Sequence, residues 1–455
     1  MSTEQEIAGF IHRASPSEIP TAALSTIRDQ LLGVLGTTIA GATAEGCQTV
    51  VETVRELSGK PEASVLIYGD KVPAQHAALA NAVMARALDF EDSMVPGAHA
   101  GAAVVPAALA ATELAGGVSG VDFLTAVSVG TEIAVRLNLG EPEYDGFDPT
   151  GVSVPFGATA AASKILDLSE EETLNALALA FCRCGGSFQA NVDGALAVRM
   201  IQGWVAETGV TCARLAGRGI TGPRNFLDGV YGYFHLFGRD RVGAEKVLSG
   251  LGTDYQVDKL VFKKYPSCGG TQSSTELILD LIEEVGLQAD EVEHIEIRLV
   301  PYLYKLVGHP FELGSNPKVN AQFSVRWCVA NALIRRSSKL AHFEPEAVSD
   351  PAVLSLIDKI DAVPDAALDA RGHTAVDLRV TTKTGKEYLR QTDLAPGFPG
   401  NPLTAEEHLQ RFWGCISFGT SAVANVQKGE KIVSLVKHLE ELDDARVLVS
   451  ALLTE

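Results

Sequence analysis

The most constraining feature of this chain is a long succession of helical segments built from small residues. Between residues 20 and 255 it reads almost wholly as helix, and many segments are rich in Ala and Gly, as in AALANAVMARAL at 77–88. Small side chains let helix backbones approach closely, so these segments read as buried members of a multi-helix core. Thr21 to Ala40 carries apolar residues at helical spacing: Leu24, Ile27, Leu31, Leu32, Leu35 and Ile39. Further helices are expected at about 75–88, 104–115, 122–138, 156–165, 170–182 and 197–217, punctuated by Pro96-Gly97 and Gly116-Gly117.

The pattern changes after about residue 262. His294 to Val300 alternates polar and apolar residues at period two, the mark of a half-buried strand. Ala375–Val380 and Lys386–Gln391 also alternate, and a turn containing Lys383-Thr384-Gly385 joins them as a hairpin. Helices are expected between them at about 320–335 and 350–360. PGFPGNP at 396–402 closes this stretch, and a helical tail (404–413, 419–425, 430–441) returns to the first part. The expected fold is mainly α. A large all-helical domain comprises 1–262 with 398–455, and a smaller α+β domain comprises 263–397. At about 150 residues per domain the 455 residues would allow three domains; the pattern reduces them to two.

Charge narrows the partners. With 37 Lys+Arg against 57 Asp+Glu the formal net charge is −20, which argues against nucleic acid or an anionic membrane surface. A small anionic substrate remains compatible, because a pocket can hold a local positive field. Acidic runs such as Glu170-Glu-Glu172 and Asp290-Glu-Val-Glu293 read as solvated surface. The opening MSTEQEIAGF lacks the pattern of a secretory leader, and no apolar stretch reaches the roughly 20 residues of a membrane span. Seven scattered cysteines read as reduced thiols in a cytoplasmic protein. Cys182-Arg-Cys184 lacks zinc-site spacing and reads as a pair of small buried core residues. Phosphate loops, GxGxxG, HExxH and CxxC are absent, and the ten histidines show no metal-ligand grouping, which points away from a metal enzyme.

Two segments carry chemistry. Asp89-Phe-Glu-Asp-Ser-Met-Val-Pro-Gly-Ala-His99 gathers three carboxylates, a hydroxyl and an imidazole in a loop between small-residue helices. Such loops are where catalytic groups commonly lie, although capping of a turn by Asp92 or Ser93 would also account for them. Lys263-Lys-Tyr-Pro-Ser-Cys-Gly-Gly270 stands at the boundary between the helical and mixed regions, where a lysine suits a substrate carboxylate. Lys264 reads as a solvated hinge residue.

ALDFEDS…PGAHAGAAVVPAALAATE resembles the signature of the MmgE/PrpD family, which includes 2-methylcitrate dehydratase, cis-aconitate decarboxylase and iminodisuccinate epimerase. The likeness continues in order through GFDPTGV…FGATAAASKIL at 146–166, RMIQGWVAETGVTCARLAGRGITGP at 199–223, KKYPSCGGTQ at 263–272, NAQFSVRW at 320–327 and GFPGNPLT at 397–404. It implies an all-helical domain closed by the C-terminal segment, an α+β lid, a homodimer, and a site between the domains needing neither metal nor organic cofactor. By resemblance, Asp89 and His99 match the family's catalytic pair, Ser93 replaces its substrate-binding Thr, and Lys263 matches its junction lysine. Tyr304, or Tyr302 if the gap falls differently, is similar to a tyrosine from the lid.

The departures concern the acid/base groups. Where family lyases show His in a GFHPT-like motif this chain has Asp148, followed by Thr150. Their Lys-Arg or Lys-Pro pair before His-x-Gly is here Val198-Arg199, followed by Met-Ile-Gln202-Gly203, and a junction His of the decarboxylases aligns with Cys268. The substrate-binding candidates are thus Ser93, Asp148, Thr150, Arg199, Gln202, Cys268 and Tyr302, beside catalytic Asp89, His99, Lys263 and Tyr304. The implied activity is a cofactor-independent lyase that moves a proton next to a carboxylate of a small di- or tricarboxylate. Epimerisation of an amino- or imino-dicarboxylate is the alternative, and an inactive helical binding protein the third.

Overall fold

The computed structural model describes residues 1–140, 143–419 and 425–453. Two compact units emerge: Met1–Leu260 with Arg411–Glu455, and Val261–Gln410.

The first unit is helical: α1 (Thr3–Arg13), α2 (Thr21–Gly41), α3 (Cys47–Leu57), α4 (Ala74–Arg86), α5 (Gly101–Ala115), α6 (Gly120–Leu137), α7 (Pro149–Ile165), α8 (Glu170–Phe181) and α9 (Ala197–Ala216). The core is α6 against α7, α9 against α4 and α7, and α4 against α5. α5 is buried on every side from Gly101 to Thr112, as its unbroken small apolar composition requires. α6 and α7 touch backbone to backbone. A Cβ at Gly130 would lie 2.7 Å from the Gly157 carbonyl oxygen, and one at Gly157 would lie 2.5 Å from that of Gly130. Within α6 the fully buried Arg136 pairs with Glu132 at 2.6 Å and donates to the carbonyls of Val247 and Ser249 at 2.8 and 2.7 Å. The connection after α9 is thereby tied into the core. Of the tail, Ala445 donates to Val118 at 2.8 Å and Ile67 to Leu452 at 3.1 Å, so the segment around Ala445–Leu452 is pinned to the same unit.

Several expectations need adjusting. α7 begins at Pro149 instead of 156, because Asp148 caps it and Pro149 is preorganised for the first turn; Pro155 sits inside the helix. α1 lies ahead of the helical stretch read from the sequence, and α3 falls within it without having been given bounds. α1 starts on a Ser2/Gln5 capping box and packs on α8. Tail helices run over Ala405–Phe418, Val426–Lys437 and Arg446–Leu452; the helix expected at 419–425 falls mainly outside the described residues. Cys182 is exposed and Cys184 half-buried, contrary to the core reading, because both lie past the end of α8.

The second unit packs α10 (Gln272–Val285) and α12 (Val325–Arg335), with α11 (Pro301–Val307) between them in sequence, on a four-stranded sheet. Its strands are β1 (Val292–Leu299), β2 (Ile360–Pro364), β3 (Val376–Thr382) and β4 (Glu387–Thr392), in the order β2-β1-β3-β4. β1 pairs in parallel with β2, Ile295 opposite Ile360, and antiparallel with β3, Ile297 opposite Leu378. Ile295, Ile297 and Leu299 point to the core at period two. The helix expected at 320–335 is broken at Phe323-Ser324, where the Ser324 hydroxyl accepts from the Trp327 N–H at 3.3 Å and starts α12. The helix expected at 350–360 ends at Ile357 and gives way to β2. Among the described residues no helix is long and apolar enough to cross a membrane.

Candidate active site

The loop between α4 and α5 draws charges together. Arg86 is the last residue of α4. Asp89 then takes a left-handed backbone (φ +54°), a conformation that Asp tolerates better than most residues, and its Oδ1 returns to within 2.6 Å of Arg86 Nη1. Two residues on, Glu91 Oε1 stands 3.3 Å from Arg86 Nε. Met94 and Ala98 exchange backbone hydrogen bonds at 2.7 and 3.0 Å, closing a tight hairpin whose tip is held by Asn138 Nδ2 donating to the Val95 carbonyl at 2.7 Å. That reversal returns His99 to the residues that preceded it.

His99 Nδ1 lies 2.8 Å from Glu91 Oε1 and 3.2 Å from the Asp92 carbonyl. The Asp92 carbonyl at Nδ1, with the Glu91 carboxylate beside it, favours the proton there in the neutral ring and leaves Nε2 as the nitrogen available for proton transfer. The His99 backbone N–H donates to Thr150 Oγ1 at 3.0 Å, and Gln202 Nε2 donates to the same hydroxyl at 3.3 Å. A further layer fixes Asp92: its Oδ2 accepts from Gln30 Nε2 at 2.9 Å and from the Gly101 N–H at 3.0 Å. Any Cβ at position 101 would fall 2.0 Å from Asp92 Oδ1, so only Gly fits the start of α5.

Burial sets the titration of these groups. It raises the Asp92 carboxyl above its ordinary range, and it raises Asp148 as well. Asp148 Oδ1 caps α7 through the N–H groups of Thr150 and Gly151, at 2.9 and 3.3 Å, and the charges of His99 and Arg86 act on it. For Arg86 burial works against the charge, but Asp89, Glu91 and Asp148 outweigh it and hold the guanidinium above its ordinary value. The site is a buried cation shared by two carboxylates, one of which orients an imidazole.

The donor atoms of Asp89, Glu91 and His99 all lie within 4.8 Å of one another, a spacing that a metal ion could use. The grouping exists in space although the sequence shows none, because the hairpin folds His99 back. Arg86 is already paired with both carboxylates, so this donor set serves a guanidinium as it stands.

The other sequence candidates fall in several places. Ser93 is buried next to Asp92. Arg199 is buried on α9 with its Nη1 donating to the Glu45 carbonyl, so its guanidinium is engaged at the turn leading into α3. Lys263, Cys268, Tyr302 and Tyr304 belong to the second unit. Lys263 and Cys268 are buried there, and Cys268 donates its N–H to the Gln322 carbonyl at 3.0 Å. Tyr302 lies 4.8 Å from His373 and Tyr304 6.0 Å from His309, ring to ring. Two residues apart on α11, they face different sides of it. Lys264, expected as a solvated hinge, instead bridges Glu276 at 2.7 Å and Glu407 at 3.0 Å. Sequence reasoning missed Arg86 and gave Glu91 no role; the signal was an arginine closing an alanine helix just before three acids.

Comparison with known proteins agrees along the whole chain. The family model for the MmgE/PrpD N-terminal domain matches residues 5–243, and that for the MmgE/PrpD C-terminal domain matches residues 265–437. A cis-aconitate decarboxylase-like protein, oryM, of Aspergillus oryzae is 26% identical over 98% of this chain and 96% of its own length. The cis-aconitate decarboxylase of Homo sapiens is 25% identical (99% and 94%), and that of Aspergillus terreus 24% identical (98% and 95%).

Proposed function

The chain belongs to the MmgE/PrpD family, and from that membership we propose that it is a lyase of the dehydratase or decarboxylase type acting on a small di- or tricarboxylate. The observation that carries the reading is the 2.8 Å contact of His99 Nδ1 with a fully buried Glu91. A carboxylate on one ring nitrogen orients the imidazole and stabilises its charged form, so Nε2 serves as base or acid at a carbon next to a carboxylate. Arg86 pairs with Glu91 and Asp89, and it supplies positive potential where an enediolate develops. Because these residues provide acid, base and cation, the proposal calls for no cofactor. Roles for Ser93, Arg199, Lys263, Cys268, Tyr302 and Tyr304 rest on family resemblance alone, as does a homodimer, and the proposal of a cytoplasmic location rests on the scattered cysteines.

Asp148 favours a second reading. It stands where family lyases carry His, and its Oδ1 is occupied by two backbone N–H groups of α7. A cap is poorly placed to protonate a leaving group, which dehydration needs and epimerisation of an amino- or imino-dicarboxylate does not. The test is incubation in D₂O with citrate-like, aconitate-like and aspartate-derived acids, followed by NMR. A new alkene or a lost carboxyl indicates a lyase, and deuterium entry with the substrate skeleton retained indicates an epimerase. If no acid reacts or exchanges, the enzyme reading fails and the helical binding protein takes its place.

A further inference from the structure

Behind the loop that carries Asp89 and Glu91 a second guanidinium is buried. Arg411, from the tail of the first unit, is 6% exposed. Its Nη2 donates to the Phe90 carbonyl at 2.8 Å, and its guanidinium carbon lies 4.9 Å from the centroid of the Phe90 ring. One cation therefore grips both the backbone and the side chain of the residue that separates Asp89 from Glu91. Burial pulls its pKa below the ordinary value, while Cys415 and the charges of Asp92, Asp29 and Glu91 act in the opposite direction. A buried ion is costly to keep, so its place in the fold calls for a reason.

We propose that Arg411 is a positioning residue for the proton-transfer group: by fixing Phe90 it sets Asp89 and Glu91, and through Glu91 the imidazole of His99. Two features of the loop require such a clamp. The left-handed backbone of Asp89 persists only where the surroundings over-determine it; Arg86 holds its carboxylate and Arg411 holds the next residue. The gripped carbonyl also belongs to the peptide that leads into Glu91, so a shift there moves Oε1 off His99 Nδ1. The inference rests on His99 as the acid/base group of the proposed function.

The test compares Arg411→Lys and Arg411→Met with the full-length wild type by thermal melting, by kcat and KM on whichever acid is turned over, and by NMR titration of His99, assigned with His99→Ala. Glu91, Asp92 and Asp89 on the loop, Arg86 from α4 and Asp148 from α7 face His99 and are unchanged in both variants. Arg411→Met is expected to lower kcat about 10- to 100-fold with KM within about threefold, because a displaced acid/base group costs rate more than binding. Displacement of Glu91 from His99 Nδ1 takes away the anion that favours the imidazolium, so the His99 titration moves to lower pH than in the wild type. Arg411→Lys restores the titration and part of kcat. A lower melting temperature with kcat and the titration unchanged makes Arg411 merely structural and overturns the proposal. If the Met variant does not fold, the Lys variant decides: kcat equal to wild type overturns it. If the wild type turns over none of the acids, the function reading fails, and the titration still decides the role of Arg411.

Discussion

Replacing Glu91 with Gln removes the charge at the centre of the site while keeping its shape. Glu91 is fully buried, and His99 Nδ1 at 2.8 Å and Arg86 Nε at 3.3 Å both approach its Oε1. Gln keeps the size of the side chain beside both nitrogens, so what disappears is the negative charge facing the imidazole. A hydrogen bond to a charged group contributes about 1.5–3 kcal/mol. At about 1.4 kcal/mol per tenfold, kcat is expected to fall by about 10- to 150-fold. KM should stay within about threefold, because Glu91 is assigned to orienting His99 and not to holding substrate. With the anion gone the imidazolium is less favoured, so the acidic limb of the kcat/KM profile moves to lower pH. Stability should fall by less than the roughly 3–5 kcal/mol of a buried charge left wholly unpaired, because Arg86 keeps Asp89 at 2.6 Å. The assay is turnover followed by NMR across pH, with thermal melting on the same samples. A kcat within twofold of wild type and an unmoved acidic limb would refute the dyad.

His99→Ala should abolish turnover while the melting temperature shifts by only a few degrees; retained activity removes His99 from the mechanism. Gly157→Ala should cost about 1–3 kcal/mol in urea unfolding, since its Cβ would meet the Gly130 carbonyl at 2.5 Å; an unchanged midpoint would disprove the backbone contact. Arg136→Met leaves Glu132 buried without its cation and should destabilise by about 3–5 kcal/mol, and a neutral result would show that the pair is dispensable. Burial pushes Asp29 up from 3.8 to about 6. A carboxyl with a raised folded pKa contributes stability below its unfolded pKa, and that contribution is lost as pH climbs to the folded one. Thermal melts between pH 4 and 7 should therefore show the wild type losing stability relative to Asp29→Asn; parallel curves would contradict the shift.

The helical core was legible because its segments obey local rules. α2, α4 and α9 start and stop near their apolar periodicity, since composition alone forces them inward. Legibility failed where a local signal was ambiguous or a partner was distant in sequence. Pro155 hid the first turns of α7, and β2 went unseen because its partner β1 lies some sixty residues earlier and pairs in parallel. In the site, Asp89 and His99 were picked out by residue type and resemblance. Glu91 as the partner of His99, and Arg86 as the shared cation, came only from the fold. Both contacts cross a left-handed turn or a hairpin, and no sequence periodicity describes either. Arg199 shows the converse: its charge drew attention, and its guanidinium is used on the Glu45 carbonyl.

The hairpin closed by Met94 and Ala98 also sets a ruler on the chain. One residue more or less between Glu91 and His99 would displace the ring by about 3.8 Å along the backbone, whereas a hydrogen bond tolerates about half an ångström. At the tip the Val95 side chain is exposed and can vary. The number of residues cannot, so an insertion there should break the contact between Glu91 and His99 more surely than most substitutions.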